Sequence, residues 1–572
     1  MAKIVLVSDY TLMYNYRDYP LLDFLPCAPY GAVPKPIYEF LKKPLVKALP
    51  NGEAMQAPYA IRKLQAALER GFDSKEIVVP HPNYIEKFID DDTEVIAVST
   101  MDPLGIGPLT MSYAVLFGPE YYVAWVRKEW EALIDRLNKA RANRKAKLIV
   151  GGPGVWEFTI LQEEIENEKI DYLVQGEMED VAVQLFKGII EDNIDKSIFY
   201  NGYLSYDDNF RPYYKDHPKF ITRHPNSKRR FPLLEEIPLI DKPSMRGMTE
   251  VMRGCGIGCD FCEVTLRPLR YYPVEWVKKE VEVNVRLTNG QISNAWLHSD
   301  EIFAYKHGLF YTPNEEALVE LFSTVMSIKG IKRLNPTHGR ISIPAAFPDL
   351  IKKLSDIIRS GPNNWIGIQV GIETGSDRLA KIHMPNKTLP LRIGPDGSWQ
   401  EIVWNGTRNF NMYYWRPAFT VQVGQSSETD EDNWDTVALI NRLSNSYVNN
   451  IPFEFTATPM YNMPLGKIKD KSFSPEMLTE AQLAVYYAAY RHLMKMAVRN
   501  ARRSNGVAKR SPIANMGLST ILPFGAKLLV WILERFMKKK GVDIEKVKRY
   551  GLDDMPLQVR QYGITSEQLL NR

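Results

Sequence analysis

Short apolar runs that alternate with amphipathic stretches leave this chain few folds to choose from. KIVLVSDY, EVIAVST, KLIVGGPG and DYLVQGEME recur across the first 200 residues, each the length of one strand. Between them lie PYAIRKLQAALERG and WVRKEWEALIDRLNKARA, whose apolar residues return every three or four positions, the period of a helix packed on one side. Strands that alternate with helices pair in parallel, because each helix carries the chain back across the sheet. The expectation for 1–200 is therefore a doubly wound α/β domain. The alternation returns over 247–465. There GMTEVMRGC, AWLHSDEIFAY, the region of GRISIPAAF, WIGIQVGIETGSD and FTVQVGQSSETDE read as strands, with PVEWVKKEVEVNVRL and EEALVELFSTVMSIKG as helices. The stretch 201–246, rich in Tyr, Pro and basic residues, reads as a linker, and 466–572 as a helical region.

Composition narrows the class. A chain of 572 residues exceeds what one core supports. Its 72 basic and 68 acidic residues leave a net charge of only +4, which does not mark a nucleic-acid binder. RHPNSKRR, at 223–230, reads as a solvated basic loop, since no aromatic platform accompanies it. MAKIVLVSDY is a strand rather than a secretion signal, and no apolar run reaches the ~18 residues that span a bilayer. The expectation is a cytoplasmic protein, peripheral to a membrane at most.

Three of the four cysteines crowd into RGCGIGCDFCE, residues 253–263. Four cysteines in so long a cytoplasmic chain form no disulfide framework. A structural zinc site usually takes two separated pairs of ligands, and no second pair exists here, although His298 or His307 could complete a Cys₃His set. Three thiolates suit a cubane iron–sulfur cluster better, because they leave one iron open. The interleaved glycines let the loop wrap closely and turn backbone N–H groups toward sulfide.

Cys255-x₃-Cys259-x₂-Cys262, with Phe261 before the last cysteine, resembles the signature of radical S-adenosylmethionine (SAM) enzymes. The resemblance implies that Cys255, Cys259 and Cys262 hold a [4Fe–4S] cluster whose open iron chelates SAM. It also implies that one electron, from a donor such as ferredoxin or flavodoxin, releases a 5′-deoxyadenosyl radical that abstracts hydrogen. It implies a partial (β/α)₆ barrel over 247–465. Matching segments carry further expectations: Asp300 and Glu301 for the SAM amino group, Arg340 as a SAM contact, and Glu373 in GIETGSD beside the ribose. Gly424 would also line SAM, although Gln425-Ser426-Ser427 stands where the family has Leu-Pro-Gly.

The first 200 residues resemble the Rossmann-like cobalamin-binding-type domain that precedes the barrel in one large class of these enzymes. EVIAVSTMDP, VGGPG and LVQGEME carry that match, and Ser99, Thr100, Gly151 and Gly152 would line the corrin cradle. Cobalamin itself stays open, since Asp-x-His-x-x-Gly is absent. Only Cys27 remains for a second cluster, which argues against sulfur insertion; it reads as a small apolar residue, with hydrogen-atom donation as the alternative.

Near the C-terminus, NMGLSTILPFGAKLLVWILERFMKKKG reads as a segment lying in a membrane interface or as a buried cap on the barrel. Layout and tail together resemble the archaeal enzymes that modify tetraether (GDGT) lipids by forming cyclopentane rings. The leading expectation is hydrogen abstraction from an apolar membrane lipid. The alternatives are a cobalamin-dependent C-methyltransferase, an anaerobic tetrapyrrole cyclase and a zinc-stabilised nucleic-acid binder.

Overall fold

In the first strand, Ile4–Ser8, every residue is buried, so side chains on both faces need cover. Ile4 and Leu6 pack with Ile61, Leu68, Leu185 and Phe186, on the helices Tyr59–Leu68 and Ala182–Ile190. Val5 and Val7 turn the other way, onto Trp130, Leu133, Ile134 and Leu137 of the helix Trp125–Ala140. Each such fully buried aliphatic side chain contributes about 1.5–3 kcal/mol. That two-sided burial produces the doubly wound sheet.

The computed structural model describes all residues except 1, 19, 118–121, 208–210, 228, 446–455, 462–476, 504–511, 555–556, 558 and 563–572. It divides into two units, one built mainly from Met1–Thr249 with Lys278–Ser293, the other from Glu250–Val277, Asn294–Asn462 and Glu476–Arg572.

In the first unit the strands are β1 (Ile4–Ser8), β2 (Ile77–Val78), β3 (Val95–Ser99), β4 (Lys147–Gly151), β5 (Tyr172–Val174), β6 (Phe199–Tyr206) and β7 (Pro212–Arg223). They lie in the order β2-β1-β3-β4-β5-β7-β6, parallel except for the antiparallel pair β6–β7. The order reverses at β1/β3, and a sheet wound this way offers a crevice beyond the carboxyl ends of those strands. The expected linker at 201–246 is corrected here. Much of it is sheet, because β7 pairs with β5 through Leu173/Phe220 and Val174/Ile221 and carries β6 as an outer hairpin. Its first half is largely exposed and polar, which hides the strand period, while Phe220 and Ile221 are fully buried.

The second unit is an arc of parallel strands. The N–H of Val251 donates to the His298 carbonyl at the end of Asn294–His298, which pairs with Arg333–Pro336. His338 then bridges to Gln369 in Ile366–Glu373, and Trp415–Val423 and Thr456–Tyr461 follow. The strand expected in GRISIPAAF is thus corrected to Arg333–Pro336, while Ser342–Ala346 is helical. Pro344 has no N–H for a ladder, and RLNP is too short and polar to show a strand period. Along Ile366–Glu373 and Trp415–Val423 the residues alternate between buried and half-buried. The buried set faces the outer helices, as Trp415 shows by donating to Ser355 Oγ at 2.7 Å in the helix Pro348–Ile358. The half-buried set, including Gln369, Gly371, Thr420 and Gln422, forms a polar inner face. The C-terminal region is helical, with helices Glu480–Arg503, Pro512–Lys539 and Ile544–Arg549 tied together through Glu534, which accepts from Tyr487 Oη at 2.7 Å and pairs with Lys548 at 3.1 Å.

Candidate functional site

The cysteine loop begins where Met252–Arg253 ends. Gly254, Gly256 and Gly258 all take left-handed φ, between 68° and 82°, which side-chain-bearing residues resist. A Cβ on Gly254 would stand 2.7 Å from the Arg267 carbonyl oxygen. The turns are pinned from outside. The Gly254 N–H donates to Asp300 Oδ2 at 2.7 Å, the Gly258 N–H to Thr265 Oγ1 at 2.7 Å, and Asn386 Nδ2 to the Ile257 carbonyl at 2.9 Å. Tyr311 donates its hydroxyl to the Gly256 carbonyl. His383 bridges Asp260 Oδ2 and the Ser426 carbonyl, each at 2.7 Å.

Cys255 and Cys259 are buried and Cys262 is half-buried at the start of a short helical turn. Burial pushes the Cys255 thiol up to about 11 and the Cys259 thiol up to about 12, and it raises Cys262 as well. Cys255 and Cys262 raise Cys259 further, and Cys262 raises Cys255, as charges in one neighbourhood do. Among the described residues, no three His, Cys, Asp or Glu groups converge tightly enough for a single metal ion. Three soft sulfur donors on a pinned loop fit a multi-iron cluster with one iron lacking a protein ligand.

Sequence reasoning named Glu373 but missed its partner, Lys387. Glu373 is a non-glycine residue in the left-handed region, at φ 59°, a conformation costing about 1–3 kcal/mol. Its carboxylate meets Lys387 Nζ at 2.6 Å, with both side chains nearly buried. A Cβ on Gly371 would overlap the Glu373 carboxylate and stand 2.7 Å from the ammonium, so only glycine leaves room for the pair. The Lys387 ammonium also lies 5.9 Å from the Phe261 ring centroid, next to Cys262. Burial lowers the lysine's proton affinity, but Glu373 and the cysteines more than offset it, and the net shift is upward. Nothing in HMPNKT marks this lysine. Only the fold brings it 125 positions back, to Cys262.

The other expected SAM contacts fall into two groups. Asp300 stands against the cysteine loop, half-buried, with one oxygen engaged by Gly254. Glu301 and Arg340 are both buried and face each other, Nε to Oε2 at 3.0 Å. Arg340 also donates to the carbonyls of Tyr311 at 2.7 Å and Leu389 at 3.3 Å, and Glu301 accepts from the Phe303 N–H. In this geometry the two hold the arc together. The Gly424 N–H is directed to the Glu428 carboxylate at 3.0 Å, while Gln425 Nε2 reaches the Glu373 carbonyl at 3.4 Å.

In the first unit, Ser99, Thr100, Gly151 and Gly152 gather at the carboxyl ends of β3 and β4. Thr100 is fully buried with its hydroxyl on Asp9 Oδ2 at 3.3 Å, and burial pushes Asp9 up to about 6. The rim itself is bare. Gly152 is exposed at φ 96°, where a Cβ would stand 2.6 Å from the Thr100 carbonyl oxygen, whereas a Cβ on Gly151 would meet only the Val174 carbonyl at 3.8 Å and one on Gly176 would meet nothing. An edge of glycine backbone, with Ser99 as its small half-buried side chain, leaves room for a flat, amide-rimmed ligand such as a corrin. Cys27 lies beside Thr110 and Asp102, its thiol pushed up to about 12 by burial.

No protein-family model matches the chain. Over 247 residues it is 28% identical to the tRNA-2-methylthio-N(6)-dimethylallyladenosine synthase of Methylococcus capsulatus, a match covering 41% of this chain. The chain spans about half the length of that curated relative, 48%. Solved structures with a loose likeness include the radical SAM methyltransferase TsrM from Kitasatospora setae, at 14% identity and TM-score 0.45 over 76% of this chain and 70% of TsrM. The cobalamin-dependent SAM radical enzyme OxsB gives 13% identity and TM-score 0.39 over 83% of this chain and 54% of OxsB.

Proposed function

We propose that this chain is a radical SAM enzyme. The observation that carries the reading is the pinned loop that presents three thiols beside a buried carboxylate–ammonium pair. When bound, a [4Fe–4S] cluster on Cys255, Cys259 and Cys262 supplies the electron that splits SAM into methionine and a 5′-deoxyadenosyl radical. The chain's own residues do the rest. Asp300 holds the loop at its first turn, Glu373 offers a carboxylate to the ribose hydroxyls, and the inner face of the arc holds the substrate C–H bond.

The finer reading is action on an apolar chain drawn from a lipid surface, in the manner of ring formation in tetraether lipids. It is supported by the helix Pro512–Lys539, on which Phe524, Leu528, Trp531 and Ile532 are exposed at 72, 45, 51 and 39%. They share one helical face with Lys527, Arg535 and Lys538, while Ala526, Leu533 and Met537 face inward. Apolar side chains flanked by cations suit an anionic lipid interface. No helix among the described residues is long and apolar enough to cross a membrane. Of the basic residues upstream, Lys509, Arg510 and the side chains of Arg502 and Arg503 lie outside the described residues.

A second reading, cobalamin-dependent methyl transfer, is favoured by the bare glycine rim and by the polar inner face, which includes His298, His338 and Gln422. One experiment separates the two. The anaerobic protein, given a reductant, SAM and archaeal lipid extract, should release 5′-deoxyadenosine and lipids lighter by two hydrogens. Release of S-adenosylhomocysteine with a methylated product would support the second reading, and neither nucleoside product would defeat both.

A further inference from the structure

The Glu373–Lys387 pair has features that a stabilising surface ion pair lacks. It is nearly buried, it holds a non-glycine residue at positive φ, and it requires a glycine at 371. Replacing such a pair with apolar side chains is often neutral for stability, so burial alone gives no reason to keep it. Its orientation supplies one. Lys387 Nζ lies toward the cysteine loop, within reach of the Phe261 ring, and Asn386 beside it is bonded to the Ile257 carbonyl between two of the cysteines.

We infer that Lys387 is the charge partner of the cluster, a fixed ammonium over Phe261, a residue between Cys259 and Cys262 in the loop, that favours the reduced form and so sets how readily an electron enters. The inference rests on the radical SAM reading. Three thiolates give an oxidised [4Fe–4S]²⁺ cluster a net negative charge, and one more electron deepens it. A nearby cation in a low-dielectric site stabilises the more negative state. Glu373 opposes this, but the ammonium is the member of the pair that stands over the Phe261 ring, on the cysteine loop itself. Glu373 keeps the ammonium in place and charged. The step is the transfer of one electron from an external low-potential carrier to the cluster, with no bond made and no proton moved.

The test is a redox titration of reconstituted full-length protein against dithionite and mediators, with the reduced cluster counted by electron paramagnetic resonance. In Lys387→Met the ratio of reduced to oxidised cluster at a fixed poise should fall about tenfold, about 59 mV for a one-electron couple. Lys387→Arg should titrate like the parent protein. The double variant Glu373→Gln/Lys387→Met leaves no buried charge unpaired and should fall by a smaller factor in the same direction. If Lys387→Met and the double variant titrate like the parent, or if both lose their iron, Lys387 is structural and the inference is overturned. A parent protein that takes up no iron overturns the radical SAM reading instead.

Discussion

The cysteine loop in one unit and the glycine rim in the other are both candidate ligand sites, built in opposite ways. At the loop, polar groups converge: three raised thiols, a buried ion pair and a carboxylate on the first turn. At the rim, the polar groups are turned inward, as Thr100 is toward Asp9, and what faces outward is backbone. The loop is specified by the side chains present, the rim by those missing. Side chains that converge can hold and tune a charged group, whereas an open backbone edge leaves room for a large, preformed one.

The sharpest break in this contrast would come at the loop's own scaffold. Arg340→Met would leave Glu301 buried without its partner, at a cost of about 3–5 kcal/mol. Thermal unfolding should show that loss, and an unchanged melting temperature would mean the pair is not what holds the arc.

Glu373→Gln removes the carboxylate offered to the ribose, and SAM affinity should weaken by about 1–3 kcal/mol. Equilibrium binding to the cluster-loaded protein measures this, and unchanged affinity would remove Glu373 from the SAM site.

The rim predicts the reverse pattern. Gly151→Leu places its Cβ no closer than 3.8 Å to a neighbour and should change stability by less than about 1 kcal/mol, while abolishing any retained cobalamin. Cobalamin carried equally by that variant would place the corrin elsewhere.

The smallest effect is in pH dependence. Burial raises Asp432, but bonds from Arg378, Ser376 and Thr429 prevail and hold it down to about 2. A carboxylate with a depressed pKa contributes stability above its ordinary value, and that contribution is lost as pH falls toward 2. Asp432→Asn should therefore narrow the gap between urea midpoints at pH 7 and pH 3. An unchanged gap would mean that this linkage is absent.

How much of this could be read in the sequence depended on whether the signal was local. Cys255, Cys259 and Cys262 share one loop, and their type and spacing are enough to find them. The strands of β1, β3 and β4 stand out because burial on both faces demands continuous apolar runs. The β6–β7 hairpin did not, since most of one strand faces water. Lys387 is an ordinary lysine until the chain returns it to Glu373, and nothing local shows that Glu301 and Arg340 face each other. Pairings across the chain are invisible to periodicity.

The central claim is that three thiols hold a cluster that cleaves SAM. It is tested most directly by anaerobic reconstitution of the parent protein and of the variant with Cys255, Cys259 and Cys262 all changed to Ala. Iron, sulfide and 5′-deoxyadenosine are then counted in each. The account predicts about four irons and four sulfides per chain and reductant-dependent 5′-deoxyadenosine in the parent, with none of these in the variant. Reductive SAM cleavage by the triple variant would contradict it.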